Sequence, residues 1–297
     1  MILMILNKMY KQQSETKTFF DGFSNEWAKR SNFKKNKILN TIQERNLYVL
    51  GSIKKNKTKN FLDIGCGTGD LVFETSKFTK LSVGIDFSDQ MIKLSKKKFK
   101  RDNLEFINTS LFKYETKKKF DCISANGFIE YLSLNDIKEF FKITKKLLNK
   151  NGYLIFGSRN RLFNIFSLNE FSKNEIKDKQ FKMFYEEALA LNLHTFKKFI
   201  NLKKNKFNGI SYKQPKTGIK VNLRHQFSPL QLIDILKGYD FKINDLSPIN
   251  YHPVLPSIFN QDINFKKFSN YIYNYNKERK LPLIPFSSSF MISVTKK

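Results

Sequence analysis

The residues best suited to chemistry lie in two short segments of the chain. The first, 61–70, reads Phe-Leu-Asp-Ile-Gly-Cys-Gly-Thr-Gly-Asp, with Gly65, Gly67 and Gly69 at alternate positions after Asp63. Residues without a side chain let the backbone approach a ligand closely and adopt unusual φ and ψ angles. A helix that begins there also offers free N–H groups to a carboxylate. Because Asp63 is suited to an ammonium group, the segment predicts a site for an amino-acid group.

The second segment, 83–87, reads Val-Gly-Ile-Asp-Phe and ends an apolar run with Asp86. A carboxylate at the end of a strand can accept hydrogen bonds from both hydroxyls of a ribose, as in dinucleotide-binding folds. The two segments together predict a ligand with an amino-acid end and a ribose end. A nicotinamide dinucleotide would require Gly-x-Gly-x-x-Gly and a pyrophosphate site, whereas this chain has Gly-x-Gly-x-Gly after an acid.

The elements around these segments alternate between short apolar runs and helical patterns, which is typical of a parallel α/β sheet. Strands are predicted at 60–64, 81–85, 104–107, 120–124, 153–156, 241–246 and 290–294. Ser88 and Ser228 are predicted to cap helices at their N-termini. Another helix is predicted to open at Asn135 or Asp136 and to end at Asn151 and Gly152, since glycine can adopt the left-handed conformation there.

Four segments resemble, in order and spacing, the motifs of class I S-adenosylmethionine-dependent methyltransferases: 61–70, 83–91, 104–111 and 120–132. The resemblance covers about 60–158, with further support from a helix and two strands after 224. It implies an α/β fold with a doubly wound, seven-stranded, mostly parallel sheet whose last strand is inserted antiparallel. It also implies S-adenosyl-L-methionine as the cofactor and methyl transfer as the reaction.

The resemblance also implies roles for individual cofactor-binding residues. The methionine half would be held by Asp63, Gly65, Gly67 and Gly69, and the ribose by Asp86. The adenine would be flanked by Phe87 and Met91 and bordered by Ser110 and Leu111. The backbone at Asn126 and Gly127 would lie beside the methyl donor. Many relatives have aspartate at the position of Ser110. Phe87 and Met91 could instead simply fill the core.

The chain is interpreted as one domain, 1–297, with four parts: an N-terminal helical cap (1–48), a cofactor-binding core (49–158), an inserted lid (159–223), and a closing helix and strands (224–297). Residues 19–27 resemble the N-terminal helix that closes over the cofactor in many small-molecule methyltransferases, which makes Trp27 a candidate substrate contact. The alternative is a simple packing helix.

Candidate catalytic residues are Glu130, His225 and His252, because a general base is required when the acceptor is a protonated hydroxyl or amine. Arg159 and Arg224 are candidates for binding an anionic or polyhydroxylated acceptor, since arginine offers a planar fork suited to carboxylate or phosphate. Alternatively, the arginines, with Arg161, join the lid to the core through acids such as Glu170 and Glu175.

The segment 127–131 also resembles ubiquinone-pathway O-methyltransferases. Those enzymes carry acidic and histidine positions that can hold a metal, whereas Gly127 and Tyr131 stand in their place here. The sequence therefore predicts no metal.

The net charge of +28 raises the question of a nucleic-acid partner. Only seven of the 54 basic residues are arginine, and the lysines are spread along the chain, which favours solvated faces without a specific nucleic acid.

The predicted function is therefore methyl transfer to an O or N atom of a small, polar or anionic metabolite; the alternative is an RNA or protein methyltransferase that uses the basic surface. Two cysteines and no long apolar run predict a cytoplasmic protein without a membrane span. Met9 is an alternative start.

Overall fold

The computed structural model describes residues 2–32, 39–202, 211–212, 224–259, 263–275 and 280–296. Its seven-stranded sheet confirms the predicted α/β fold. The strands of that sheet are β1 (Asn60–Ile64), β2 (Leu81–Asp86), β3 (Leu104–Asn108), β4 (Phe120–Ala125), β5 (Leu148–Arg159), β8 (Phe241–Tyr251) and β9 (Ser287–Lys296). A separate ribbon pairs β6 (Ser211–Tyr212) with β7 (Arg224–His225).

The strand order across the sheet is β3-β2-β1-β4-β5-β9-β8. The first five strands are parallel, and β9 lies antiparallel to both β5 and β8. Phe61, Leu62, Ile64 and Ile123 are completely buried, because helices cover both faces of these central strands. The chain reverses its direction of winding at β1 and β4, so a crevice is expected beyond their carboxyl ends.

The helices connect these strands and cover the two faces of the sheet. They are α1 (Ile2–Ser31), α2 (Thr41–Lys55), α3 (Asp70–Ser76), α4 (Asp89–Lys98), α5 (Leu134–Leu147), α6 (Leu162–Phe166), α7 (Glu170–Lys177), α8 (Phe181–Leu193), α9 (Phe196–Phe199), α10 (Pro229–Lys237), α11 (Pro256–Phe259) and α12 (Ile263–Tyr275). None of the described helices is long and apolar enough to cross a membrane.

Serine side chains define the starts of three of these helices. Ser88 and Ser228 cap α4 and α10, which confirms both predicted N-caps. The N-cap of α5 is Ser133, slightly before the predicted start at Asn135 or Asp136, because its hydroxyl accepts from the backbone N–H of Asp136 at 3.1 Å.

The prediction that α5 ends at Asn151 and Gly152 is wrong. The helix ends at Leu147, and both residues lie within β5. Leu148 pairs with Phe120 and Tyr153 pairs with Cys122, so the intervening residues of β5 bulge out of the ladder. Asn151 has a φ of +63° there, and a Cβ at Gly152 would lie 2.9 Å from the carbonyl oxygen of Asn149. The left-handed Asn151 and the small Gly152 therefore serve a bulge rather than a helix end.

The segment predicted as a lid forms α6 to α9 where it is described, and it packs against the main core through Phe184, Leu191 and Phe199. The boundary predicted at residue 48 between cap and core falls inside α2. The predicted boundary therefore divides a single helix, which runs from Thr41 to Lys55.

Candidate active site

A cavity lies at the carboxyl ends of the parallel strands, between the glycine loop and α1. The predicted cofactor residues that line it are Gly65, Gly67, Asp86, Phe87, Met91, Ser110, Leu111, Asn126 and Gly127. A second cavity adjoins it and is lined by Asp63 and Arg45, with Trp27, Gly65 and Asn126 shared between the two. The fold thus brings together residues from four predicted motifs.

The glycine loop is shaped by backbone angles that other residues rarely adopt. The φ angles are +70° at Gly65 and +53° at Gly67. A Cβ at Gly65 would lie 2.9 Å from the ring of Phe128, and one at Gly67 would lie 2.8 Å from Nε1 of Trp27. Gly69 lines neither cavity; its φ is +78°, and a Cβ there would lie 2.5 Å from Phe106. Gly69 thus allows α3 to pack closely, while Gly65 and Gly67 expose backbone to the cavities.

The carboxylate of Asp86 is fixed at the end of β2. Its two oxygens accept from the backbone N–H groups of Gly67 and Ser88, each at 2.9 Å. Burial raises the pKa of Asp86 to about 6, although these two hydrogen bonds favour the charged form. Each oxygen retains further lone pairs that can accept from hydroxyl groups in the cavity.

Asp63 occupies the end of the neighbouring strand β1, and it is 4% exposed. Ser124, on β4, donates its hydroxyl to Oδ1 of Asp63. Burial raises the pKa of Asp63 to about 7; the Ser124 hydrogen bond opposes this rise, and the charge of Asp86 adds to it. A bound cation would therefore favour ionised Asp63 and release a proton near neutral pH.

Helix α1 covers the glycine loop and contributes Thr16, Phe20 and Trp27 to the cavity wall. It is held by polar contacts to the N-termini of two core helices. Ser88 donates to Asp21 at 2.5 Å, Lys17 pairs with Asp89 at 2.6 Å, and Ser31 donates to Asp70 at 2.7 Å. Helix α1 thus forms part of the cavity wall, while its closing over a cofactor stays a prediction.

Comparison with known proteins agrees with this geometry. A family model described as a methyltransferase domain matches residues 55–214, more than half of the chain. The chain belongs to the class I S-adenosylmethionine-dependent methyltransferases. The fold is similar to that of the magnesium protoporphyrin IX methyltransferase of Synechocystis PCC 6803, with a TM-score of 0.54 and 13% identity over 95% of this chain and 100% of that one.

Two curated relatives are similar in sequence over part of this chain. The ubiquinone biosynthesis O-methyltransferase of Pelagibacter ubique is 35% identical over 38% of this chain and 47% of its own length. The malonyl-(acyl-carrier protein) O-methyltransferase 2 of Ilyobacter polytropus is 28% identical over 58% of this chain and 73% of its own length. For most of the curated relatives that it matches, the chain spans about half of their length or less.

Beside the first cavity, the charges of three arginines, Arg45, Arg159 and Arg224, act on Glu130. The carboxylate of Glu130 is completely buried and pairs with Arg224 at 2.6 Å and with Arg45 at 3.6 Å. The guanidinium of Arg224 lies 5.1 Å from the ring centroid of Tyr131, which lines the cavity. Burial raises the pKa of Glu130, but Arg224 and Arg45 more than offset this and hold it below its ordinary value. Glu130 is therefore an ionised partner of arginines rather than a ready proton acceptor.

The two candidate histidines have different surroundings. His225 follows Arg224 on β7 and forms a hydrogen bond with the backbone of Leu132, a residue of the cavity wall. His252 packs on the ring of Phe163, with centroids 4.8 Å apart, and lines neither cavity. Burial lowers the pKa of both, to about 4 for His252, so both rings are neutral at pH 7. His225 is the nearer of the two to the first cavity.

Arg161 has a different role from Arg159 and Arg224. Its guanidinium forms a buried, two-pronged pair with Glu175, at 2.9 Å from Nε and 2.8 Å from Nη2. Glu170 pairs with Lys173 on the surface. Arg161 and Glu175 both lie within the segment 159–223, so this pair stabilises the predicted lid internally rather than joining it to the core, whereas Arg224 binds Glu130 of the core.

Arg45 was not predicted from the sequence. It lies on α2, outside every recognised motif, and its side chain passes the backbone at Gly127, where a Cβ would lie 2.8 Å from Nη1. The scarcity of arginine in a lysine-rich chain, which singled out Arg159 and Arg224, could have found it.

Within the described ranges, no group of three or more His, Cys, Asp or Glu side chains could hold a metal ion. The absence of a metal stays a prediction.

Proposed function

We propose that this protein transfers a methyl group from S-adenosylmethionine to an O or N atom of a small, polar or anionic metabolite in the cytoplasm. One observation carries the proposal: Asp63 and Asp86 face adjoining cavities on the two sides of one glycine loop. That spacing suits a single ligand with an ammonium group at one end and a ribose near its centre.

Each part of the cofactor has a matching group in the chain. Asp86 would accept from the ribose hydroxyls, and Asp63 would hold the ammonium. Arg45, on the wall of the same cavity as Asp63, would hold the carboxylate. The glycine loop fits a ligand that approaches the backbone closely, because side chains at Gly65 and Gly67 would occupy that space. When bound, the cofactor supplies an electrophilic methyl group on a sulfonium.

The contribution of the chain is alignment, exclusion of water and, for a protonated acceptor, removal of a proton. Phe20, Trp27 and Tyr131 form an aromatic cover over the cavity, with the ring centroids of Phe20 and Trp27 5.8 Å apart and those of Phe20 and Tyr131 5.5 Å apart. His225 would serve as the base, since its ring is neutral and near the cavity wall. Glu130 would position Arg224 and Arg45.

The two curated relatives support a small acceptor, because their names refer to ubiquinone biosynthesis and to a malonyl group.

An RNA acceptor would depend on the basic surface. We expect weak, salt-sensitive and sequence-independent association with RNA from lysine charge alone. A methylated nucleotide in RNA incubated with the protein and S-adenosylmethionine would contradict the small-molecule proposal.

Replacing Asp86 with alanine should weaken binding of S-adenosylhomocysteine by about 1.5–3 kcal/mol, the range for lost hydrogen bonds to a charged group. Isothermal titration calorimetry measures this directly. Asp102→Ala is the matched control, because Asp102 is exposed and lies outside both cavities. Tighter binding of NAD than of S-adenosylhomocysteine, or no binding of the latter by the wild type, would contradict the proposed function.

Cofactor affinity should rise with pH between 5.5 and 7.5. Asp63 and Asp86 have pKa values of about 7 and about 6, so they are largely protonated at the low end and ionised at the high end. Only the ionised forms attract the ammonium and accept from both ribose hydroxyls, so the dissociation constant should fall by roughly tenfold or more over this range. Calorimetry at pH 6.5 in buffers of different ionisation enthalpy should show proton release, which Asp63→Asn should reduce. Equal affinity at both pH values would show that these carboxylates do not contact the cofactor.

A further inference from the structure

We propose that the acceptor carries an oxyanion, a carboxylate or phosphate, and that Arg159, together with Arg224, binds it beside Glu130. This inference rests on the proposed function, because it assigns a chemical class to the acceptor of that reaction. It is carried by an imbalance of buried charge next to the cofactor cavity.

Among the described residues, Arg159 differs from Arg45 and Arg224 in forming no ion pair with a carboxylate. Arg224 and Arg45 both pair with the single carboxylate of Glu130. Nε of Arg159 is buried and has no hydrogen-bond partner among the described residues. Burial and then the like charge of Arg224 lower the pKa of Arg159 to about 10, so the group remains charged at pH 7. A buried cation without a counterion is unfavourable unless a ligand supplies the opposite charge.

The neighbouring sequence does not supply that charge. Segments 203–210 and 213–223, which precede Arg224, contain no aspartate or glutamate and carry six lysines. Glu130 and Tyr131 are the groups whose electrostatic interaction with Arg159 favours its charged form. Glu130, however, already forms ion pairs with two other arginines. The missing negative charge is therefore expected from a bound molecule.

The position of the cluster connects it to the acceptor rather than to the cofactor. Arg159 is the last residue of β5, at the edge of the sheet where ligands bind. Arg45 lines the cavity of Asp63, and the carboxylate of the cofactor would satisfy it there. Arg224 lies over Tyr131, whose ring forms part of the other cavity wall. An oxyanion bound by Arg159 and Arg224 would thus anchor the acceptor beside the methyl group.

The test uses Arg159→Gln in the full-length protein, saturated with S-adenosylhomocysteine. Thermal unfolding is followed with inorganic phosphate, malonate or chloride at constant ionic strength. For the wild type, phosphate or malonate should raise Tm and chloride should not; which of the two is stronger distinguishes a phosphate from a carboxylate. For Arg159→Gln, the response should be lost, with affinity for the anion reduced by roughly tenfold or more. Arg101→Gln, at an exposed arginine, should respond like the wild type.

The same variant separates binding from a structural role. Without added anion, Arg159→Gln should raise Tm by about 2–4 °C, since it removes a partly buried charge whose Nε has no hydrogen-bond partner among the described residues. A Tm that falls, or a wild type that responds to none of the anions while it binds S-adenosylhomocysteine, would overturn the inference and leave the proposed function intact. Failure to bind S-adenosylhomocysteine at all would instead contradict the proposed function.

Discussion

Replacing Arg161 with methionine should lower the free energy of unfolding by about 3–5 kcal/mol, because it leaves the charge of Glu175 buried and unpaired. Arg161 and Glu175 are both completely buried, and Asn164 also donates to Glu175 at 2.8 Å. The guanidinium additionally lies 4.7 Å from the ring centroid of Phe184, so packing is lost together with charge. Chemical denaturation monitored by circular dichroism gives the difference.

An exposed ion pair on α7, the helix that carries Glu175, provides the control for this substitution. Lys173 and Glu170 are 2.9 Å apart, with side chains 75% and 74% exposed. Because water screens such a pair, Glu170→Gln should change stability by less than about 1 kcal/mol. The double variant Arg161→Met and Glu175→Leu should recover much of the loss, since it removes both charges together. Equal effects of Arg161→Met and Glu170→Gln would show that the buried pair is not an important source of stability.

Replacing Gly67 with alanine should weaken S-adenosylhomocysteine binding by about 2–3 kcal/mol, or roughly 30- to 150-fold in Kd. The added Cβ would lie 2.8 Å from Nε1 of Trp27, so the indole must leave a position in which it lines both cavities. The left-handed φ of +53° would also lower stability by about 1–2 kcal/mol. Calorimetric titration together with thermal unfolding separates the two losses.

Gly51 offers the matched substitution. It lies on an exposed face of α2, and a Cβ there would meet nothing within 4 Å. Gly51→Ala should therefore stabilise the protein by about 0.5–1 kcal/mol and leave cofactor affinity unchanged. If Gly67→Ala binds the cofactor as tightly as Gly51→Ala does, the glycine loop does not form the cofactor cradle.

The parts of the fold that could be predicted from the sequence are those whose signals are local. The strand at 60–64 has the bounds predicted for it, because an apolar run ends directly in a glycine loop. Ser88 and Ser228 could be recognised as caps from their own neighbourhoods. The end of α5 could not, because a glycine after an asparagine suits both a helix end and a bulge. Only pairing of Tyr153 with Cys122 across the sheet decides between them.

The candidate site shows the same division. Asp63 and Asp86 could be predicted as neighbours because the ends of adjacent parallel strands meet at one edge. The partners of Glu130 could not be predicted, since Arg45 and Arg224 reach it from two distant places in the chain. Nothing in the segment around Glu130 distinguishes a general base from the counterion of buried arginines. That distinction depends on tertiary packing alone.

The insertion of β9 between β5 and β8 fixes the order in which the sheet can be completed. Within the described sheet, β8 has β9 as its only neighbour, although β8 precedes β9 in sequence. During synthesis on the ribosome, β8 therefore emerges before the strand that it pairs with, and both it and the free edge of β5 must wait for residues 287–296. Such an unpaired edge is where other chains can add. Chaperone binding to stalled nascent chains should consequently end only when β9 has left the exit tunnel.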